Sequence, residues 1–131
     1  MANTTKRILI VDDDIDYIEQ MKLHIGNMGY EVITAESQQE GLQLLENFKP
    51  DLAIVDLMME SEDSGFVLSY HLKKKYPDVP VIIATAVAAE TGMVFGLNSP
   101  QEKTWIKADR YLEKGLRPDQ LQREIDLLLG Q

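Results

Sequence analysis

The sequence predicts an α/β fold, a parallel sheet covered by helices on both faces. Three observations predict it. Apolar runs of strand length alternate along the chain with segments whose apolar residues recur every three or four positions. Turn and capping residues (Gly, Pro, Ser and Asp) punctuate the boundaries between them. The chain is 131 residues long and 44% hydrophobic, which suits one domain with an ordinary core. Strands that alternate with helical crossovers pair in parallel and bury both faces of the sheet.

Arg7 to Val11 reads as a buried strand. Asp13 or Asp14 can cap the helix that follows, whose stripe is Ile15, Ile18, Met21, Ile25 and Met28 and whose end is Gly29. Glu31 to Thr34 is a second, short strand. Ser37 followed by Glu40 is a capping-box signature, and Leu42, Leu45 and Phe48 give that helix its apolar stripe. Pro50 stops it, and Leu52 to Val55 forms a third strand that ends at Asp56. After the polar loop MMESEDSG, a helix runs from Ser64 to Tyr76 with Leu68 and Leu72 inward. Lys73, Lys74 and Lys75 suit its C-terminal dipole, and Pro77 terminates it. Pro80 opens a fourth strand, Val81 to Ala84, at a position where proline removes no ladder bond. Gly92, Gly96 and Pro100 interrupt residues 86–107, which are expected to hold a short helix and an irregular loop. Asp109 to Leu112 is a fifth strand. Pro118 fits the first turn of a last helix with the stripe Leu121, Ile125 and Leu128.

Composition excludes several functions. The net charge of −9 argues against a non-specific nucleic-acid surface, which needs a basic footprint. No run approaches the roughly 18 apolar residues of a membrane span, and the N-terminus MANTTKR does not resemble a signal peptide. A cytoplasmic location is expected. There is no cysteine, hence no disulfide and no thiolate metal site.

The residues that end the strands carry the chemistry. In parallel α/β sheets ligands bind outside the carboxyl ends of the strands. The first strand ends in Asp12, Asp13 and Asp14, the third in Asp56 and the fourth in Thr85, and Lys114 lies just beyond the fifth. Converging carboxylates repel one another unless something offsets them. Mg2+ is a hard cation that takes oxygen ligands, commonly one or two carboxylates together with water and phosphate oxygens. A hydroxyl and an ammonium nearby can donate to phosphate oxygens. A carboxylate in such company can itself be the nucleophile of a phosphoryl transfer. Taken singly, each residue has a plainer reading. Asp14 serves as a helix cap, Asp56 as a turn residue, Thr85 as a strand residue, Lys114 as a surface charge and Tyr111 as core. His24 and His71 stand apart from any motif and are expected on helix surfaces, and Trp105 can fill a core gap or mark a contact.

In their order, ILIVDDD, DLAIVDLMM, PVIIATA, ADRYLEK and PDQL resemble the receiver domains of two-component response regulators. The resemblance covers residues 7–129 and makes the whole of 1–131 one receiver domain. It implies a flavodoxin-like, doubly wound sandwich whose five parallel strands run in the order 2-1-3-4-5 between about five helices. It implies that Asp56 is the phosphoacceptor and that Asp12, Asp13 and Asp56 hold Mg2+ with the backbone carbonyl of Met58, Asp13 binding more directly than Asp12. Thr85 and Lys114 would bind the phosphoryl group, and the rotamer of Tyr111 would follow Thr85. Met58 and Val87 would flank the phosphoryl group; being apolar, they cannot orient an attacking water, so a long-lived phosphorylated state is expected. The implied donor is a histidine kinase or histidine phosphotransfer protein, or a small phosphodonor. The protein would act as an enzyme only on its own phosphorylation and dephosphorylation. The signal would leave through the face built from the fourth strand, fourth helix, fifth strand and fifth helix.

The chain departs from the family pattern in three places. Gly115 follows the lysine where proline with a cis bond is usual, so this peptide is either trans or a strained cis bond. The loop after Asp56 carries Glu60, Glu62 and Asp63, appears one residue longer and displaces its glycine to Gly65; it is expected to be a solvated loop. The connection from Thr85 to Lys114 is longer than usual, which the fold should tolerate. No output domain is expected after the last helix. The signal would therefore pass to a downstream protein target, with no direct nucleic-acid binding, from a monomer or a dimer linked to phosphorylation. Either a stand-alone receiver or a piece of a larger regulator fits. Two competing readings are a phosphorylation-independent interaction module and a phosphatase with an aspartyl intermediate. The second usually carries Asp-x-Asp, whereas Asp56 is followed by Leu57 and Met58.

Overall fold

A computed structural model describes residues 5–57, 59, 64–85 and 109–130, except for the side chain of Thr85. Five strands, β1 (Arg7–Val11), β2 (Glu31–Ala35), β3 (Leu52–Asp56), β4 (Val81–Thr85) and β5 (Arg110–Glu113), form one sheet in the order β2-β1-β3-β4-β5. Every neighbouring pair is parallel. Four helices are described: α1 (Ile15–Asn27), α2 (Gln38–Leu45), α3 (Ser64–Lys75) and α4 (Pro118–Leu129). This is the parallel sheet covered on both faces that the alternation predicts, in the doubly wound strand order that the family resemblance implies. The short helix expected within 86–107, together with Val87 and Trp105, lies outside the described residues.

The central strands are apolar throughout because both faces of the sheet are covered. Alternate residues of β1 and β3 serve different cores. Leu9, Val11, Ala53 and Val55 pack with Leu45, Leu68 and Leu72 beneath α2 and α3. Ile8, Ile10, Leu52 and Ile54 pack with Ile18, Met21, Ile25, Leu121 and Ile125 beneath α1 and α4. Leu42, Phe48 and Leu128 are only partly buried at the margins of these cores.

The local signals act largely as the sequence implies. Of the two candidate caps it is Asp14 that caps α1, its carboxylate accepting from the N–H groups of Asp16 and Tyr17 at 3.1 and 3.3 Å. Replacing Asp14 with Ala leaves those donors without their cap, so a loss of about 1 kcal/mol is expected in denaturant unfolding. Gly29 follows the helix with φ 97°, a left-handed conformation that glycine adopts without a Cβ penalty. Ser37 caps α2 through the Glu40 N–H, while the Glu40 carboxylate reaches the N–H of Glu36, one residue earlier than a reciprocal capping box would place it. Pro118 opens α4, and the Gln120 side chain accepts from the Arg117 N–H.

Two expectations need correction. Ile15 is the first residue of α1 and is 48% exposed, so the buried stripe begins at Ile18. The fifth strand begins at Arg110, one residue later than expected. The Asp109 N–H donates to the Val81 carbonyl at 2.8 Å, while the Asp109 carboxylate accepts the Val81 N–H at 2.8 Å and pairs with Lys73 at 2.8 Å, so the residue pairs with β4 through both backbone and side chain just ahead of the strand.

The order β2-β1-β3 reverses direction between β1 and β3, the topological switch point at which such sheets bind ligands. The end of α3 nearest this point is pressed onto β3. The Gly65 N–H donates to the Leu57 carbonyl at 2.8 Å, and a Cβ on Gly65 would lie 2.7 Å from the Leu57 Cα. Backbone cannot yield there as a flexible side chain would. Gly65→Ala should therefore cost about 1–3 kcal/mol in denaturant unfolding and displace the carboxyl end of β3.

Candidate functional site

The carboxyl ends of β1 and β3 are adjacent, with Val11 paired to Val55. The residues that follow these positions therefore meet at one rim. Asp12 leaves β1 and is 1% exposed, Asp56 closes β3 and is 7% exposed, and Asp13 is exposed to solvent. One oxygen from each of Asp12, Asp13 and Asp56 falls within 4.8 Å of the others. His24 and His71, half-buried and exposed respectively, do not join this group.

Lys114 completes the cluster. Its ammonium lies 2.8 Å from Asp12 Oδ2 and 3.2 Å from Asp56 Oδ1, with its side chain 18% exposed. The other Asp12 oxygen accepts the Asp14 N–H at 2.9 Å. The peptide after Lys114 is trans, which decides between the two geometries open for Gly115. Lys114 reaches the carboxylates from this trans loop.

Burial, followed by the neighbouring charge of Asp12, raises the Asp56 carboxyl from 3.8 to about 6; Lys114 opposes the rise. Burial alone would lower the Lys114 ammonium, but its pairings with Asp12 and Asp56 outweigh that and hold it above its ordinary value. Tyr17 is a member of the site that the apolar periodicity of α1 did not single out. Its ring centroid lies 4.7 Å from Lys114 Nζ. Burial and the charges of Asp12 and Asp56 raise its hydroxyl pKa.

Tyr111 stands on β5 on the other side of the sheet, half-buried against the core beneath α2 and α3, its ring edge-on to Phe66 at 6.3 Å. Burial raises its hydroxyl to about 12. The backbone of Thr85 ends β4 beside Glu113, at the same rim as Asp56. The Thr85 side chain, Met58, Val87, Glu60, Glu62 and Asp63 lie outside the described residues.

The donor set fits a hard divalent cation. It is made entirely of oxygen, carries more negative charge than one lysine offsets, and has Asp13 open to solvent for entry. A neutral ligand or an anion alone would leave three carboxylates offset by a single ammonium.

Comparison with known proteins agrees with this geometry. Residues 8–126 match the family described as response regulator receiver domain. A probable transcriptional regulator, ycf27, of Cyanophora paradoxa is 32% identical over 129 residues, 98% of this chain and 50% of the relative. The chain thus spans about half the length of that curated relative. The crystal structure of a CheY-like receiver domain protein from Methanospirillum hungatei superposes with a TM-score of 0.81 at 32% identity, covering 97% of this chain and 95% of the other. The response regulator TrrA of Thermotoga maritima, solved in complex with Mg2+ and BeF, gives a TM-score of 0.76 at 29% identity, covering 95% of this chain and 99% of the other.

Proposed function

The chain belongs to the response regulator receiver domain family, and from that premise we propose that it is a phosphorylation-dependent switch with Asp56 as phosphoacceptor. The observation that carries this reading is the Lys114 ammonium held between Asp12 and Asp56 with Asp13 close by. An Asp56 oxygen attacks the phosphorus of a phosphohistidine or an acyl phosphate. A new P–O bond forms, the bond from phosphorus to the donor breaks, and the donor leaves with the electron pair. Asp12, Asp13 and Asp56 would hold Mg2+, with the Met58 carbonyl as a further ligand. Bound there, the ion supplies positive charge against the phosphoryl oxygens. Lys114 then exchanges a carboxylate partner for a phosphoryl oxygen, and the Thr85 hydroxyl donates to another.

The aspartyl phosphate is a near-dianion where a monoanion stood. Thr85, with Tyr111 following it, would carry that change to the face of β4, β5 and α4 and the connection between the two strands. The implied donors are a histidine kinase or a histidine phosphotransfer protein, and the receiver of the signal is another protein. The domain turns over no separate substrate. None of the described helices is long and apolar enough to cross a membrane, and we place the protein in the cytoplasm.

Incubation with Mg2+ and acetyl phosphate tests the reading. It should add one phosphoryl group, mapped by mass spectrometry to Asp56, and Asp56→Ala should add none. An unmodified protein, or one modified elsewhere, would instead favour the phosphorylation-independent interaction module. The apolar Met58 and Val87 predict slow loss of the group, because neither can orient water. Met58→Asn should shorten the half-life of the purified phosphorylated protein; a wild-type half-life of seconds without a phosphatase contradicts this.

A further inference from the structure

We propose that Tyr17 is a positioning residue, whose ring face holds the Lys114 ammonium over the Asp12–Asp56 pair ready for an incoming phosphoryl group. This rests on the receiver reading above and adds a residue to it. The turn after β5 holds the Lys114 backbone, with the Leu116 N–H donating to the Glu113 carbonyl at 3.3 Å, but it does not fix the long side chain. Among the described residues nothing lies within 4 Å of where a Gly115 Cβ would stand. Among the described residues the ammonium is held by three contacts: Asp12 Oδ2 at 2.8 Å, Asp56 Oδ1 at 3.2 Å and the Tyr17 ring at 4.7 Å.

Two of these contacts change during the proposed reaction. Asp56 is consumed as the nucleophile, and Asp12 is called on by a cation. The ring face is the contact whose charge stays the same throughout. A cation close to an aromatic face is attracted by the ring quadrupole, more strongly where water is excluded.

The ring is well braced for this task. Tyr17 sits in the first turn of α1, where its own N–H is held by the Asp14 cap. Its side chain packs against the core beneath α1 and α4 that holds Met21 and Leu121. A plain core role would need apolar volume at this position but no aromatic face.

The two roles separate in variants. Under saturating Mg2+, Tyr17→Leu should slow the maximal rate of phosphoryl uptake from acetyl phosphate about threefold to thirtyfold. Tyr17→Phe keeps the face and should stay within about twofold of wild type, whereas Tyr17→Met keeps apolar length without a face and should be as slow as Tyr17→Leu. Equal rates in Tyr17→Leu and wild type would overturn the inference, as would a Tyr17→Phe variant as slow as Tyr17→Leu. A second readout needs neither turnover nor a variant. The Lys114 ε-methylene protons of the wild type should be shifted upfield by the ring current in NMR spectra, and unshifted resonances would overturn the contact. A wild type that shows the shift but takes up no phosphoryl group would contradict the receiver function and, with it, the role given to Tyr17. Uptake without the shift would contradict Tyr17 alone.

Discussion

Asp56→Asn makes the metal-free fold more stable at pH 8, by about 2 kcal/mol, while abolishing phosphoryl uptake. The sign follows from the raised carboxyl, about 6 when folded against 3.8 as its ordinary value. Between those values the folded state holds a proton that the unfolded chain has released. Stability from this group is therefore full below about pH 4, falls as pH rises toward 6, and stays low above it. At 1.36 kcal/mol per pKa unit the two-unit rise sets a ceiling of about 3 kcal/mol. The raised value already contains the opposing pull of Lys114, so losing that contact is not a further cost. Urea unfolding of both proteins from pH 4 to pH 8 should give a stability difference that grows through this window and levels off above it. Mg2+ should shrink the difference, because it binds the ionised carboxylate that asparagine lacks. A difference that does not change with pH would contradict the assignment of strain to Asp56.

Lys114→Ala should move stability the other way and further. Among the described residues Lys114 is the cation in contact with both buried carboxylates. Its removal leaves Asp12 and Asp56 facing each other, and breaking a buried pair in this way commonly costs about 3–5 kcal/mol. The Asp56 carboxyl should titrate higher still, since its opposing charge is gone. Mg2+ should stabilise this variant more than it stabilises wild type, because the ion no longer competes with an ammonium. The double variant Asp56→Asn/Lys114→Ala should be more stable than Lys114→Ala alone, since one of the two repelling charges is then absent. Denaturant unfolding with and without Mg2+ measures the loss, the response to the ion and the gain in the double variant. A small loss unaffected by Mg2+ would show that Lys114 is a solvated surface charge, the plainer reading of this residue.

The rim of the site was legible because strand ends are legible. Apolar runs that stop at Asp12 and Asp56 announce both the strands and the carboxylates, and parallel pairing brings the ends together. The contact between Lys114 and Asp12 joins residues far apart in the chain, and no local period encodes it. Tyr17 left only a weak signal, four residues before Met21 on the same helical face, where an aromatic reads first as core. Ile15 shows how periodicity overreaches at a helix end, since the first turn projects beyond the core that the later turns cover. The start of β5 was placed one residue early because Asp109 does bond to Val81 through its N–H, but its carboxylate, in place of its carbonyl, accepts the Val81 N–H. Gly115 left two backbone geometries open, and the trans form was settled only by the structure.

Asp12, Asp13 and Asp56 are proposed to share one divalent cation at the switch point of the sheet. Anomalous diffraction from crystals soaked in Mn2+ would locate it. A single strong peak is expected about 2.0–2.2 Å from carboxylate oxygens of Asp13 and Asp56, lost in Asp13→Asn crystals. Full occupancy elsewhere on the surface with no peak between these two carboxylates would contradict it.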